Sequence, residues 1–294
     1  MKINNFVEAK TKALDNLKNF KNQFIIPLNQ IEDIEIAGDL SNKINNIYQQ
    51  VDSEDFIIAM FGSFSDGKST VIKAITGEQD IEISPVPTTD KIQEYQYKKT
   101  LKIIDTPGLF SENLEHSEKT EKYISEANLI LYLVDPVNPL KQSQHKVIKW
   151  LLKDLNKVDS TIFVINKMDS VVDLEDEEEF IEVYNTKSEV VEKTLKNIGV
   201  EITRENILAI AADPYGEGLE YWENYKDEYL DLSRINKLTN KIDTFIPENR
   251  NELMLESANS VLKDCTLQLN TDLSQYVETN KDILQTEKDE LEYA

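Results

Sequence analysis

Apolar residues recur at two different spacings along this chain, and the change of spacing divides it into three parts. Through the first 24 residues, apolar side chains fall three and four positions apart, which predicts an amphipathic helix. A second helix is predicted from about Asp39 to Val51. Short continuous apolar runs then replace the helical spacing, and helical spacing returns after Pro247.

The middle part alternates apolar runs of strand length with longer helical stretches. Runs that are apolar throughout are typical of strands buried on both faces. Because these runs alternate with helices, we expect an α/β fold whose mostly parallel sheet is flanked by helices. The predicted strands are Phe56–Phe61, Leu101–Ile104, Leu129–Val134, Thr161–Ile165 and Ile207–Ala211, with Ile92–Tyr97 at the edge and helices over Glu118–Ala127, Ser143–Leu155 and Asp176–Ile198.

The last part of the chain has no glycine after Gly218 and no proline after Pro247. Its pattern predicts one helix of about 40 residues, about 60 Å long, which the sheet alone cannot cover. We expect Met1–Phe24 to pack against part of Met254–Tyr276 as a bundle beside the sheet, with a hinge at Phe245–Pro247, where proline interrupts the helical hydrogen bonds. The alternative is a plain C-terminal helix lying across the sheet domain.

Composition and charge narrow the environment and the partners. The formal net charge of -23 repels phosphate backbones and anionic headgroups, so nucleic acid or a bare membrane is not an expected partner of this part of the protein. No signal peptide or membrane-spanning stretch is visible, and the single cysteine, Cys265, has no partner for an internal disulfide. We therefore expect a cytoplasmic protein, in which Cys265 is a small apolar residue on a helix face. The acidic run Leu174–Phe180 is interpreted as the solvated start of a helix.

The segment Gly62–Ser69 follows the first predicted strand and precedes a predicted helix. It reads Gly-Ser-Phe-Ser-Asp-Gly-Lys-Ser, the G-x-x-x-x-G-K-[ST] pattern of a phosphate-binding loop, in which successive backbone N–H groups point at a phosphate chain. Lys68 is expected at the β- and γ-phosphates, and the Ser69 hydroxyl at Mg²⁺. A carboxylate such as Asp66 is costly in an anion site unless it points away or helps to hold a cation.

Asp105-Thr106-Pro107-Gly108 follows the strand Leu101–Ile104. Its carboxylate can hold Mg²⁺ through water, and the Gly108 N–H can contact the γ-phosphate. Between this motif and the phosphate-binding loop lies Pro87-Thr88-Thr89-Asp90, a hydroxyl-bearing stretch that could close over the γ-phosphate and Mg²⁺. We expect Thr89 to take that role, with Thr88 as the alternative, and a plain turn is the other interpretation of the stretch.

Asn166-Lys167-Met168-Asp169 follows the strand Thr161–Ile165 and identifies the base. A carboxylate accepts two hydrogen bonds from the N1–H and the exocyclic amine of guanine, whereas adenine would leave the buried charge unpaired. The sequence therefore predicts GTP and GDP as ligands, and not ATP. Ala209–Ala212 ends the last predicted strand, where a backbone N–H could meet the guanine O6, although an ordinary strand end is an equal alternative.

With these motifs in this order, the chain resembles bacterial members of the dynamin superfamily. Four segments carry the resemblance: Gly62–Ser69, the Pro-Thr-Thr stretch, Asp-Thr-Pro-Gly-Leu, and the continuation from Leu133–Asp135 to Pro139–Ser143. The first of these segments is similar to the LeoA-like subgroup. It implies a P-loop GTPase fold with an appended helical bundle built from both chain ends. The predicted limits are 1–52 for N-terminal bundle helices, 53–247 for the GTPase domain and 248–294 for a long helix that begins a stalk and is cut within the element.

The resemblance also implies residue roles. Ser65 would orient the attacking water and a charge-compensating cation, K⁺ or Na⁺, and Thr89 would be the switch threonine. The predicted catalytic residues are Ser65, Lys68, Thr89 and Gly108, and the predicted Mg²⁺ ligands are Ser69, Thr89 and Asp105. The predicted nucleotide-binding residues are Gly62, Ser63, Phe64, Ser65, Asp66, Gly67, Lys68, Ser69, Thr70, Asn166, Lys167, Asp169, Ala211 and Ala212.

The implied activity is GTP hydrolysis, accelerated when two GTPase faces pair head to head. The partner would be a second copy of this chain or a related dynamin-like protein. Hydrolysis would be coupled to the movement of a helical stalk for membrane remodelling. Membrane contact, at the inner face of a membrane, is expected only through parts absent from this chain. Asp66 replaces the usual alanine, Ala211 a common serine, and Leu109 the glutamine of Ras-like proteins. Two alternatives remain: a switch-type GTPase of ribosome or RNA maturation, and a GTP-binding scaffold with little turnover.

Overall fold

The computed structural model describes residues 3–31, 36–63, 65–77, 93–98, 101–105 and 124–293, and the structural statements below refer to these ranges. Several of the predicted site residues and part of one predicted helix lie outside the described residues. They are Phe64, Thr88, Thr89, Gly108, Leu109 and the first six residues of the predicted helix Glu118–Ala127. Their roles therefore stay predictions.

A six-stranded sheet forms the centre of the molecule, in the order β2-β3-β1-β4-β5-β6. Its strands are β1 (Phe56–Phe61), β2 (Gln93–Tyr97), β3 (Leu101–Asp105), β4 (Leu129–Val134), β5 (Thr161–Ile165) and β6 (Ile207–Ala209). β2 runs antiparallel to β3 at the edge, and the other neighbouring pairs are parallel. The predicted mostly parallel sheet is thus confirmed, although β6 ends at Ala209, two residues earlier than predicted.

Helices cover both faces of the sheet. They are α3 (Lys68–Thr76), α4 (His145–Lys149, between a 3-10 turn at Gln142–Gln144 and a π turn at Trp150–Asp154), α5 (Glu177–Asn197), α6 (Leu219–Trp222) and α7 (Lys226–Ser233). The acidic run before Phe180 begins α5, as predicted: the Asp176 carboxylate accepts a hydrogen bond from the Glu179 N–H at 2.9 Å. An acidic cap of this kind satisfies a free N–H and complements the helix dipole.

Alternate residues of each central strand face the two cores, because successive side chains of a strand point to opposite sides. Phe61 stacks edge-on against Tyr132 of β4 in the core under α4 and α5. Ile58 and Met60 face the other core, which α3 and the start of the last helix complete. The sheet is therefore buried on both sides, and its loops meet at the carboxyl ends of the parallel strands.

The last helix, α8 (Ile235–Tyr293), has 59 residues and is about 90 Å long. The helix runs through Pro247 without a break. The prediction that proline interrupts the helix at Phe245–Pro247 is therefore wrong. Ile246 and Leu253 pack into the same sheet core on either side of the proline, and the helix continues past the missing N–H. Neither α8 nor any other helix of the described ranges carries an apolar stretch able to cross a membrane.

Both chain ends join in a helical bundle beside the sheet, as predicted. α1 (Ile3–Phe20) and α2 (Ile36–Ser53) pack on the middle of α8. The bundle core contains Phe6, Ala13, Leu17, Ile25, Leu28, Ala37, Leu40, Ile44, Ile47, Val51, Met254, Ala258, Val261, Cys265 and Leu269. Cys265 is fully buried there, and burial raises the pKa of its thiol to about 12, in agreement with its interpretation as an apolar helix residue.

A buried polar junction connects this bundle to the sheet. The Asn128 side chain, just before β4, accepts hydrogen bonds from Gln50 of α2 at 2.7 Å and from the Ile57 N–H at 2.8 Å. It donates to the Ser257 hydroxyl of α8 at 2.9 Å. One fully buried side chain therefore fixes α2, β1 and α8 relative to one another.

Candidate nucleotide-binding site

The phosphate-binding loop joins the end of β1 to the start of α3. At Gly67 the backbone has a φ of +88°, and a Cβ there would lie 2.4 Å from the Asn166 side-chain nitrogen, so a larger residue does not fit. Ser65 also has a left-handed backbone, with a φ of +69°, and Ser65 is exposed to solvent. The Ser65 hydroxyl is therefore accessible to a ligand, which its predicted catalytic role requires.

The Lys68 ammonium lies within the loop, and its residue is 9% exposed. It donates hydrogen bonds to the carbonyl oxygens of Gly62 at 3.1 Å and Ser63 at 2.9 Å. Burial lowers the pKa of Lys68, while the nearby carboxylates of Asp105 and Asp66 oppose that shift. A buried cation held by two loop carbonyls is placed to interact with a phosphate chain that enters the loop.

The residues predicted to hold Mg²⁺ meet at the junction of α3 and β3. The Ser69 hydroxyl donates to Asp105 Oδ2 at 2.8 Å, and Thr70 follows in the first turn of α3. Asp105 is 2% exposed, and its Oδ1 has no hydrogen-bond partner among the described residues. Burial raises the pKa of Asp105, against the effects of Lys68 and Ser69. A buried carboxylate oxygen with a free lone pair beside a hydroxyl fits Mg²⁺, which prefers oxygen ligands.

The Asp66 carboxylate is bound by the backbone of the loop itself. Its Oδ2 accepts a hydrogen bond from the Ser63 N–H at 2.5 Å, and the residue is 5% exposed. Burial raises the pKa of Asp66 to about 6, although Lys68 and the Ser63 N–H favour the charged form. The Ser63 N–H and the Lys68 ammonium therefore compensate part of the Asp66 charge within the loop.

We expect Asp66→Asn to stabilise the nucleotide-free protein more at pH 7.5 than at pH 5. A carboxyl whose pKa is raised on folding destabilises the native state as the pH rises from the unfolded pKa of 3.8 through the folded value of about 6. Removing the charge should therefore add at most about 3 kcal/mol to the free energy of unfolding above pH 6. Denaturant unfolding at both pH values measures this. Asp15→Asn, on the exposed face of α1, is the control, and an equal gain at both pH values would contradict the assignment.

Gln144 supports the loop from the side of α4 and was not found by sequence reasoning. Its side-chain nitrogen donates to the Ser63 hydroxyl at 2.5 Å, and the residue is 5% exposed. Because Gln144 lies outside every nucleotide-binding motif, the linear pattern carries no signal for this contact. Ser63 is consequently held by three groups: Gln144, Asp66 and Lys68.

Asn166 links the phosphate-binding loop to the loop after β6. Its side-chain nitrogen donates to the Asp66 carbonyl at 3.0 Å, and its Oδ1 accepts from the Ala212 N–H at 3.0 Å. Both ends of this buried amide are therefore engaged by the protein, so Asn166 acts by holding two loops together. Lys167 follows with a left-handed backbone and an exposed side chain whose Cε lies beside Gly67.

Asp169 is half-buried at the end of the Asn-Lys-Met-Asp segment. Burial raises the pKa of its carboxyl, while its own backbone N–H, the Tyr215 N–H and Lys167 lower it. Because Asp169 follows β5, it lies at the same edge of the sheet as Lys68, which follows β1, and Asp105, which ends β3. This is where a base would lie if its phosphates occupied the loop.

The two alanines predicted to contact guanine O6 through their N–H groups are already bonded within the protein. Ala211 N donates to Ser233 O at 3.0 Å, and Ala212 N donates to Asn166 Oδ1 at 3.0 Å. Both residues are buried, with 0% and 1% exposure. This corrects the expectation, because an N–H engaged in a short internal hydrogen bond is not available to the base. Ala211 and Ala212 instead set the position of the loop that follows.

Comparison with known proteins agrees with this geometry. Residues 57–167 match the family described as 50S ribosome-binding GTPase, and residues 195–293 match the family described as Dynamin-like helical domain. The GTPase match covers the described part of the phosphate-binding loop and ends within the Asn-Lys-Met-Asp segment. The second match begins in the last turn of α5, at residue 195, and includes all of α8.

Individual relatives match different shares of the chain. The solved structure of the LeoA bacterial dynamin GTPase from ETEC is 35% identical with a TM-score of 0.60, and the match covers 94% of this chain and 52% of LeoA. GTPase Era of Thermoanaerobacter sp. (strain X514) is 28% identical over 59% of this chain and 58% of Era. The probable transmembrane GTPase FZO-like, chloroplastic, of Arabidopsis thaliana is 26% identical over 58% of this chain and 21% of its own length.

These matches and the fold define a P-loop GTPase domain continued by a helical region. The resemblance to bacterial dynamin-like GTPases is confirmed by the helical-domain match and by LeoA, with which the similarity extends over nearly the whole chain. The chain spans little more than half the length of LeoA and of Era.

Proposed function

We propose that this chain binds GTP with Mg²⁺ and hydrolyses it to GDP and phosphate, as the head of a dynamin-like protein. The observation that carries the proposal is the alignment of Lys68, Asp105 and Asp169 along one edge of the sheet. Asp105 ends β3, and Lys68 and Asp169 follow β1 and β5, so each lies at the carboxyl end of a different parallel strand. Asn166 joins the phosphate-binding loop to the loop beside the base position. One ligand with phosphates at one end and guanine at the other can contact all three.

Different residues of the chain would bind the phosphates, hold Mg²⁺, orient water and select the base. Lys68 and the loop N–H groups bind the phosphates and stabilise the charge that develops during transfer. Ser69 and Asp105 would hold Mg²⁺, which supplies further neutralisation of the phosphate charge when bound. The exposed Ser65 orients the attacking water, and Thr89 and Gly108 complete the γ-phosphate environment. Asp169 selects guanine.

We further propose that pairing of two GTPase faces and a K⁺ or Na⁺ ion near Ser65 accelerate hydrolysis, and that the helical bundle transmits the change for membrane remodelling. The similarity to LeoA and to a dynamin-like helical domain supports this reading, as does the packing of both chain ends against α8. The net charge of -23 disfavours nucleic acid as a partner of this part of the protein.

GTP turnover measured against protein concentration, in K⁺, Na⁺ and choline buffers, tests the paired mechanism. We expect the specific activity to rise with concentration and to be higher in K⁺ or Na⁺ than in choline. Specific activity that is constant over the whole range would favour the switch-type GTPase, which the match to the ribosome-binding GTPase family also allows. Binding without turnover at any concentration would favour the scaffold.

Ser65→Ala is expected to lower kcat for GTP by about tenfold to a hundredfold while leaving the Kd for GDP within about twofold. The physical reason is that the Ser65 side chain orients water and does not hold the phosphates. Single-turnover hydrolysis and fluorescent GDP titration separate the two quantities. Ser53→Ala, at the end of α2, is a distant serine control. A variant with wild-type kcat would remove Ser65 from the catalytic residues.

A further inference from the structure

The loop Ile210–Gly218, called the base loop here, borders Asp169. The Met168 N–H donates to the Ile210 carbonyl at 3.2 Å, and the Tyr215 N–H lies against the Asp169 carboxylate, where it lowers the carboxyl pKa. With the Ala212–Asn166 bond, three contacts join the base loop to the Asn-Lys-Met-Asp segment. The position of this loop therefore influences the space available to a base at Asp169.

Two hydrogen bonds from outside the site fix the base loop on its other side. The Tyr229 hydroxyl of α7 donates to the Ala212 carbonyl at 3.0 Å. The Ala211 N–H donates to the Ser233 carbonyl at 3.0 Å. Ser233 is the last residue of α7, and α8 begins two residues later. The base loop is thus bonded directly to the segment from which the long helix starts.

Tyr229 is itself firmly placed. Its ring centroid lies 6.0 Å from that of Trp222, and its side chain packs against the hydrophobic cores on both faces of the sheet. Burial raises the pKa of the Tyr229 phenol to about 12, so the hydroxyl keeps its proton and remains a donor at neutral pH. The bond to Ala212 therefore starts from a rigid side chain.

The Ser233 end is equally well held. The Ser233 hydroxyl accepts a hydrogen bond from the Ile235 N–H at 3.2 Å at the start of α8. The Arg234 guanidinium lies 3.6 Å from the centroid of the Phe180 ring and donates to Glu177 at 2.7 Å. These contacts connect the α7–α8 junction to α5. A movement at the start of α8 would therefore displace Ser233 and, through its hydrogen bond, Ala211.

We propose that Tyr229 is a positioning residue for guanine recognition, acting through Ala212 on the base loop and on Asp169. The inference rests on the proposed GTP binding and adds a residue outside all the nucleotide motifs. It also gives the base loop, through Ser233, a direct connection to α8. Tyr229 does not touch the phosphate positions, so its effect is confined to affinity for the base.

The experiment compares Tyr229→Phe with Tyr184→Phe. The Tyr184 hydroxyl makes the same kind of bond, to the Ile207 carbonyl at 2.9 Å, but at the other end of β6, away from the base loop. For Tyr229→Phe we expect the Kd for GDP and the KM for GTP to rise about tenfold, equivalent to about 1.4 kcal/mol. We expect kcat to stay within about twofold of wild type. Fluorescent GDP should dissociate correspondingly faster.

The two variants should lose similar amounts of thermal stability, since each loses one hydrogen bond of the same type. Tyr184→Phe should, however, leave the Kd for GDP and the KM for GTP unchanged. A wild-type Kd in Tyr229→Phe, or equal changes of Kd in both variants, would overturn the inference while the proposed function stands. Absence of guanine-nucleotide binding in the wild-type chain would overturn both.

Discussion

Lys68→Ala is expected to weaken the binding of GTP and GDP by about a hundredfold or more and to abolish measurable turnover. The variant removes a buried ammonium that two loop carbonyls hold at 2.9 and 3.1 Å, and losing one partner of a buried, charge-assisted contact costs about 2–5 kcal/mol. Titration with a fluorescent guanine nucleotide in the presence of Mg²⁺ measures the loss directly.

Lys73→Ala is the matched control, since it removes a lysine from the same helix. Lys73 pairs with Glu220 at 3.6 Å, away from the loop interior. This variant should lose some stability and keep its nucleotide affinity. Equal affinities of the Lys68→Ala variant and the wild type would show that the phosphates lie elsewhere.

Asp169→Asn is expected to reverse the choice of base, with GDP affinity falling about a hundredfold and xanthosine diphosphate binding more tightly than GDP. Xanthine carries an oxygen where guanine has an amine, so the asparagine amide can donate where the aspartate accepted. Competition between the two diphosphates for the same site measures the change.

Asp154→Asn provides the control for that exchange. Asp154 is exposed and ends the π turn that follows α4, outside the Asn-Lys-Met-Asp segment and the base loop. It should leave the guanine preference intact. Retention of the guanine preference by Asp169→Asn would remove Asp169 from the base site.

Local patterns were sufficient for most of the fold. The apolar run Phe56–Phe61 is long enough for one buried strand, and it is followed by a glycine-containing loop, so its place in a parallel sheet could be predicted. The complementary stripes of Met1–Phe24 and Met254–Tyr276 likewise predicted the bundle that the structure contains. In both cases the signal is local: a continuous apolar run for the strand, and apolar residues three and four positions apart for the helices.

The errors arose where contacts distant in sequence outweigh a local preference. Pro247 suggested a hinge, but Ile246 and Leu253 pack into one core and carry the helix through it. Ala211 and Ala212 were placed at the base because they follow a strand, whereas Ser233 and Asn166 already accept their hydrogen bonds. Gln144 and Tyr229 belong to no motif, so only the tertiary structure brings them to the site.

The central claim is that one guanine nucleotide binds at the sheet edge formed by Lys68, Asp105 and Asp169. Calorimetric titration of the wild-type chain with GDP and with ADP, each in the presence of Mg²⁺, tests it most directly. We predict one GDP per chain and an affinity for ADP at least about a hundredfold lower, because adenine leaves the Asp169 carboxylate unpaired. Equal affinity for GDP and ADP, or no binding of GDP, would contradict the account.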